Sequence, residues 1–140
     1  MTILIDSNVA LDVLLNNAGL VDGSKAVFKL AEKKRITGYI SASAVTDIFY
    51  ISQKRHGKKP AKEALKDLLH VFHPATVTDG HIFQALNLDW DDFEDSVQFT
   101  IGESLSADYI VTRNTQDFSS SYIPAVTPEQ FMQTVVDIEQ

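Results

Sequence analysis

TILIDSNVALDVLL, residues 2–15, changes its period in mid-run. Residues 2–6 read as a buried strand, and from Asn8 onward Val9, Leu11, Val13, Leu14 and Leu15 mark a helix over about 8–16. A strand running straight into a helix is the repeating unit of an α/β protein. The stretch also raises a chemical question, because the strand ends on Asp6 although Ser7 or Asn8 could cap the helix alone. Asp is itself a good N-cap, so capping is a sufficient reading of these residues taken by themselves. A carboxylate kept at a strand end for chemistry is the other reading, and the rest of the chain decides between them.

Outward from this stretch the alternation continues. The "DGS" at 22–24 starts a second helix, and "ITGYISAS" (36–43) is a short strand running to Ser41 and Ser43. Either serine can cap the next helix, "AVTDIFYISQKR" (44–55). Gly57 and Pro60 break that helix, and "AKEALKDLLHVF" (61–72) is amphipathic. "PATVTDGHIFQALNL" (74–88) gives a short strand, an Asp79 cap and a helix. "DWDDFEDSVQFTIGESL" (89–105) is a helix with an acidic first turn, followed by the β-branched strand "DYIVT" (108–112). "TPEQFMQTVV" (127–136) opens on a Thr127–Gln130 capping box with Pro128 at the first helical position. Short strands alternating with helices predict a parallel sheet covered on both faces, a three-layer α/β sandwich. The chain is expected to form a single domain over 1–140, with no repeat and no linker.

Composition narrows the function. A hydrophobic content of 44% and a charged content of 22% are those of an ordinary globular domain. No apolar run approaches the roughly 20 residues that span a bilayer, and "MTILID" lacks a basic n-region. The absence of cysteine removes disulfides, thiolate metal sites and thiol nucleophiles, and fits a cytoplasmic protein. The net charge of −7 is unlike that of proteins that grip nucleic acid by charge alone. Either the chain binds no nucleic acid, or its acidity is concentrated where cations bind.

In parallel α/β sheets ligands sit beyond the carboxyl ends of the strands. Asp6 follows one such end and "TRNTQD" (112–117) follows another, so both are expected on one edge of the sheet. Asp47 stands in a helix that is apolar nearly all round, with Ala44, Val45, Ile48, Phe49, Tyr50 and Ile51 about it. The pattern predicts a buried helix, in which a carboxylate must be paired, hydrogen-bonded in the core or bound to a metal. "DWDDFED" holds five acids; they suit a helix N-terminus, and spacing alone does not choose which points inward. Asp117 reads equally as an ordinary loop aspartate. Taken together, however, four segments each deliver a carboxylate to one edge. Four such groups within about 4 Å would repel by roughly 4 kcal/mol per pair at an effective dielectric of 20, which a cation relieves. All-oxygen ligands select Mg²⁺ or Mn²⁺, and such an ion can activate water at a phosphodiester.

In "LIDSNVALDVL", "ISASAVTDIFYI", "DFEDSVQ" and "ADYIVTRNTQDF", in that order and over essentially the whole chain, the sequence resembles the PIN domain. The last is the most specific of the four. The subgroup resembled is that of short bacterial PIN proteins akin to VapC-like toxins. The resemblance implies a sandwich around a parallel sheet, Mg²⁺- or Mn²⁺-dependent ribonuclease activity on RNA, homodimers and an antitoxin partner. Carried over by position, it implies Asp6, Asp47, Asp95 and Asp117 as metal-binding catalytic residues. Asn8, Thr112 and Asn114 then support them, Asn8 as Asp6's companion in the D-x-N turn. Asp47 is one methylene shorter than the Glu often found there, so it reaches the metal through water. Asn114 stands where many toxin relatives carry Asp. On this reading Asp6 ends its strand as a ligand, and Ser7 and Asn8 do the capping.

Lys54, Arg55, Lys58 and Lys59 in "KRHGKKPAK" (54–62) follow the Asp47 helix and are the candidate RNA-phosphate contacts; the plainer reading is a solvated helix end. His70 and His73 have a ligand-like gap without a third ligand, and His56 and His81 are expected at the surface. Phe72, Phe83, Phe93 and Phe99 are expected in the core and Trp90 near the site. Asp12 is expected to be structural or to face a dimer partner. Two other classes compete. A phospho-acceptor receiver domain needs an acidic pair at the first strand end and a late Lys, and no Lys follows Lys66. A PIN-like module that binds a metal or a partner without cutting has the same sequence signature as the nuclease.

Overall fold

The computed structural model describes residues 1–139. Strand β1 (Thr2–Ile5) is central in a five-stranded, all-parallel sheet. On one side it pairs with β2 (Thr37–Ser41), which pairs with β3 (His73–Ala75); on the other it pairs with β4 (Tyr109–Val111), which pairs with β5 (Ala125–Val126). The order β3-β2-β1-β4-β5 reverses direction between β1 and β4, and in such sheets the ligand crevice lies at the carboxyl ends of the strands beside that reversal. Asp6 and Thr112, the residues after β1 and β4, stand at that crevice. The Asp6 N–H donates to the Val111 carbonyl at 2.9 Å, which carries the pairing one residue past the strand.

Strand alternation splits the core into two layers. Ile3 and Ile5 face α1 (Ser7–Leu14), α2 (Val21–Glu32), α3 (Ala42–His56), α4 (Lys58–Val71) and α7 (Pro128–Glu139), through Val9, Val27, Ile48, Leu68 and Phe131. Leu4 points the other way, onto Ala85 of α5 (Asp79–Leu86) and Val97 and Ile101 of α6 (Phe93–Ser104). The result is the expected three-layer sandwich. β2 and α4 lie so close that a Cβ at Gly38 would stand 2.4 Å from Cδ1 of the buried Phe72 ring, and only glycine fits there.

Several local expectations are corrected. Thr78, not Asp79, caps α5: its hydroxyl accepts from the His81 N–H at 3.3 Å, and His81 Nδ1 accepts from the Thr78 N–H at 3.0 Å. His81 is therefore a half-buried capping residue with its Nε2 3.1 Å from Ser104 Oγ. Phe72 and Phe99 are core, whereas Phe83 and Phe93 are exposed. The largest correction concerns α3. Only Ala44, Ile48 and Ser52, four residues apart, are fully buried; Val45 packs part-buried against the core, and Asp47, Tyr50 and Ile51 are exposed. An apolar sequence on every face does not bury a helix that has only one sheet face to lie on.

Candidate active site

Asp6 is placed by the turn between β1 and α1. It is the N-cap of α1, with extended backbone and its Oδ1 accepting from the Ser7 N–H at 2.8 Å. Capping was expected from Ser7 and Asn8, so this is a correction, and its reason is reach. Ser7 is already inside the helix, and Asn8 is engaged elsewhere, its Oδ1 accepting from the Arg113 N–H at 3.2 Å. Asp6 nevertheless keeps a second set of partners that a cap does not need. Thr112 Oγ1 donates to Oδ2 at 2.8 Å, Asn8 Nδ2 to Oδ2 at 3.4 Å, and Gln98 Nε2 to Oδ1 at 3.4 Å. These donors hold the carboxylate in one orientation. Thr112 is fully buried, and its oxygen also accepts from the Asn114 N–H at 3.0 Å, which shapes the loop after β4. The Asn114 residue itself is exposed.

Across the crevice α6 begins. Asp92 caps it, accepting from the Asp95 N–H at 3.0 Å, and Asp95 lies half-buried in the first turn. Burial, then the charges of Asp92, Asp6, Asp117 and Glu94, push the Asp95 carboxyl up to about 7. Glu94 is also raised, by lost solvation first and then by Asp47, Asp92 and Asp6. Asp117 is exposed in a 3₁₀ turn (Thr115–Phe118) and lines, with Asp89, Trp90, Asp91, Asp92 and Asp95, a cleft of ≈180 Å³. Trp90 is half-buried there against Phe99 and Phe118.

So Asp6, Asp95 and Asp117 share one field, and Thr112 and Asn8 support Asp6. Asp47 acts on Glu94 and is not among the groups that shift Asp95. Among the described residues no three Asp, Glu or His side chains meet closely enough to enclose an ion directly. His70 and His73 are exposed and form no such group. Asp12 is structural, as expected: it is buried, and it pairs with Arg113 at 2.8 Å. Sequence reading missed Glu94, Gln98 and Arg113. Glu94 was hidden in a run of acids. Gln98 had only a weak signal, a long polar side chain in a helix segment buried from Ser96 to Gly102.

The raised Asp95 carboxyl has a consequence for metal-free stability. A carboxyl with a higher pKa folded than unfolded keeps its proton longer in the native state, so stability falls as pH rises from about 4 to about 7. Discounted for partial exposure, the penalty is about 1–2 kcal/mol. Asp95→Asn is expected to melt above wild type at pH 8 and to lose that advantage at pH 4, measured without metal. A difference that does not change with pH would mean that Asp95 titrates as a surface aspartate.

The PIN domain family model matches residues 2–116, from β1 to the turn that carries Asp117. No curated protein sequence matches the chain at a significant level. Two solved structures are similar. One is VapBC2 from Rickettsia felis, bound to a fragment of promoter DNA, at 16% identity and a TM-score of 0.66, over 90% of this chain and 97% of that one. The other is VapC20 from Mycobacterium tuberculosis, described as a Sarcin-Ricin loop cleaving toxin, at 16% identity and a TM-score of 0.61, over 77% of this chain and 86% of that one. At such identity the likeness is one of fold. The family rests on the sequence match, which covers β1 through β4 and most of the chain: the chain belongs to the PIN domain family.

Proposed function

We propose that this protein is an Mg²⁺- or Mn²⁺-dependent endoribonuclease, the toxin of a toxin–antitoxin pair, with Asp6, Asp95 and Asp117 as its principal ligands and Asp47 contributing through water. The observation that carries the reading is the meeting of charge at the carboxyl ends of β1 and β4. There the Asp95 carboxyl is driven to about 7 by burial and by its acidic neighbours. Carboxylates gathered against their own repulsion suit a cation. The donor set is all oxygen, which fits a hard ion, and Mg²⁺ keeps several of its waters, which fits carboxylates that do not close on one point. Bound there, such an ion would lower the pKa of water and neutralise charge at a phosphodiester. The chain's own contribution is orientation: Thr112, Asn8 and the Ser7 N–H hold Asp6, and the Asp92 cap holds the first turn of α6.

The described similarity supports partners of the same kind. One similar structure is VapBC2 bound to its promoter DNA and the other a toxin that cleaves the Sarcin-Ricin loop. We place the protein in the cytoplasm with RNA as substrate, as a homodimer with an antitoxin; no described helix is long and apolar enough to cross a membrane. A second reading, a PIN-like module that binds without cutting, is favoured by the exposure of Asp47 and the open spacing of the acids. Purified protein incubated with structured RNAs and Mn²⁺, Mg²⁺ or EDTA separates the two. Cleavage that needs the metal supports the nuclease; metal binding without cleavage supports the module.

The basic segment gains support from helix geometry. Lys54 and Arg55 lie in the last turn of α3, where cations suit the dipole, but Lys58 and Lys59 lie in the first turn of α4, where they oppose it. Gly57, at φ 91, makes the break between them. Helix stability does not account for two lysines at that end. Phosphate contact does, and Lys54 already lies 4.4 Å from the centre of the exposed Tyr50 ring, one turn beyond Asp47. Replacing Lys58 and Lys59 with Ala is expected to leave the melting temperature unchanged or higher while weakening RNA binding. The salt slope should fall by roughly 0.7 per lost contact on single strands. Unchanged affinity and slope would return the segment to a solvated helix end.

A further inference from the structure

The charges of this chain are sorted by sheet face. Eleven of its 12 lysines and arginines lie at or before Lys66, and only Arg113 follows; between those two stand nine of the 19 acids and no lysine or arginine. That stretch holds α5 and α6, which cover the Leu4 face of the sheet, whereas α1 to α4 and α7 cover the other. The two helices run antiparallel. His81, near the start of α5, meets Ser104 at the end of α6 at 3.1 Å, and Ala85 shares a core cluster with Val97. Ile82 and Ala85 make the inner side of α5. On its outer side Asp79, Phe83 and Leu86, spaced i, i+4, i+7, share one stripe. Phe83 is 64% exposed and Leu86 62%, more than any other large apolar side chain described except Tyr122, whose hydroxyl donates to Glu103. Phe93, also exposed, stands one turn before Val97, at the Leu86 end of the hairpin. Asp89, Asp91, Asp92 and Glu94 are exposed at that same end. Packing of α5 on α6 uses Ile82 and Ala85 and gives no reason for Phe83 and Leu86, which polar residues could replace in the same helix.

We propose that the outer face of the α5–α6 hairpin docks a basic amphipathic segment of another protein, its apolar anchors on Phe83, Leu86 and Phe93 and its Lys or Arg on the surrounding carboxylates. Charge complementarity selects this occupant. The acids repel nucleic acid, and a second copy laid face to face would bring two acidic ends together. The inference goes beyond the nuclease reading and stands without it, since it uses neither metal nor RNA. The probe is a synthetic helical peptide with leucine along one face and lysine along the other. The reporter is Trp90, the sole tryptophan, which sits in the link between α5 and α6. Binding is expected to change Trp90 emission and to weaken as salt is added. A counterpart peptide with glutamate for lysine should not bind. Phe83→Gln with Leu86→Gln should weaken binding of the lysine peptide at least about tenfold. Both positions are exposed and glutamine suits a helix, so the melting temperature of this variant should match wild type. If it melts lower, Leu86→Lys tests the same point by repulsion and should lose affinity as much. Full affinity in either variant overturns the proposal, because the peptide then rests on charge alone, and so does a wild type that ignores the peptide. Sedimentation of the protein alone examines the other occupant. A concentration-dependent oligomer that the glutamine pair dissolves makes this face a contact between copies and overturns the proposal equally. RNA cleavage by the wild type is read separately and bears only on the nuclease.

Discussion

Asp6→Asn, Asp95→Asn and Asp117→Asn are each expected to reduce RNA cleavage by on the order of a hundredfold or more while leaving the protein folded. Groups that merely orient metal ligands cost ten- to a hundredfold when removed, and a ligand's own charge should cost at least as much. The fold survives for a separate reason at each position. Asn at residue 6 remains a good N-cap: its carbonyl can take the Ser7 N–H that Oδ1 now takes, with its NH2 turned to the Thr112 hydroxyl that now donates to Oδ2. At residue 95 the change removes a carboxyl that burial and its acidic neighbours hold at about 7, which relieves the metal-free protein. Residue 117 is exposed. Asp47→Asn is expected to be milder, because Asp47 is exposed and acts on Glu94 and not on Asp95. The assay is cleavage of a structured RNA in Mn²⁺, with a thermal melt of each variant beside it. Turnover at the wild-type rate by one variant removes that residue from the ligand set, and by all three sinks the nuclease.

How much of this could be read from the sequence depended on whether a residue's role was local. The β1–α1 stretch, the α4 and α7 helices and the "YIVT" strand carry their period in the chain, and a parallel sandwich follows from the alternation. The two-residue β5 was not expected, since Ala125–Val126 is shorter than any periodic signal and is held by pairing with β4. Burial on α3 was misread because hydrophobicity says what a face tolerates and not what covers it; Tyr50 and Ile51 stay exposed. In the acidic run, composition pointed to the site, but spacing did not show that Asp92 caps α6 and that Asp95 lies half-buried in its first turn. Gln98 and Arg113 escaped because their partners lie 92 and 101 residues away, at Asp6 and Asp12. Pairings of that span are made by topology.

Arg113→Ala is expected to be the most destabilising single change near the site, costing about 3–5 kcal/mol and lowering the melting temperature by roughly 10 °C or more. Arg113 spends its whole fork. Nε donates to Asp12 Oδ2 at 2.8 Å, Nη1 to the Glu129 carboxylate at 2.6 and 2.8 Å, and Nη2 to the Leu20 carbonyl at 2.8 Å and Ser24 Oγ at 3.2 Å. Burial works against the guanidinium's charge, but the carboxylates of Asp12 and Glu129 outweigh it and raise its pKa. Asp12 is 3% exposed, so removing Arg113 leaves a buried carboxylate with only Ser24 Oγ at 2.9 Å and Asn17 Nδ2 at 3.4 Å. An unpaired buried charge, more than the lost bonds, sets the cost. Arg113→Lys should recover part of it, because one ammonium cannot reach Asp12, Glu129 and the Leu20 carbonyl together. Lys66→Ala is the control: its pair with Glu63 is exposed on both sides at 3.7 Å and should change stability by less than about 0.5 kcal/mol. Replacing both members, Asp12→Leu with Arg113→Met, should restore most of the loss, since no charge is then left buried. Urea midpoints of the four variants decide the matter. A loss below about 1 kcal/mol in Arg113→Ala would place this pair with ordinary surface bridges. Arg113 would then no longer be what ties the loop carrying Asp117 to α1, α2 and α7.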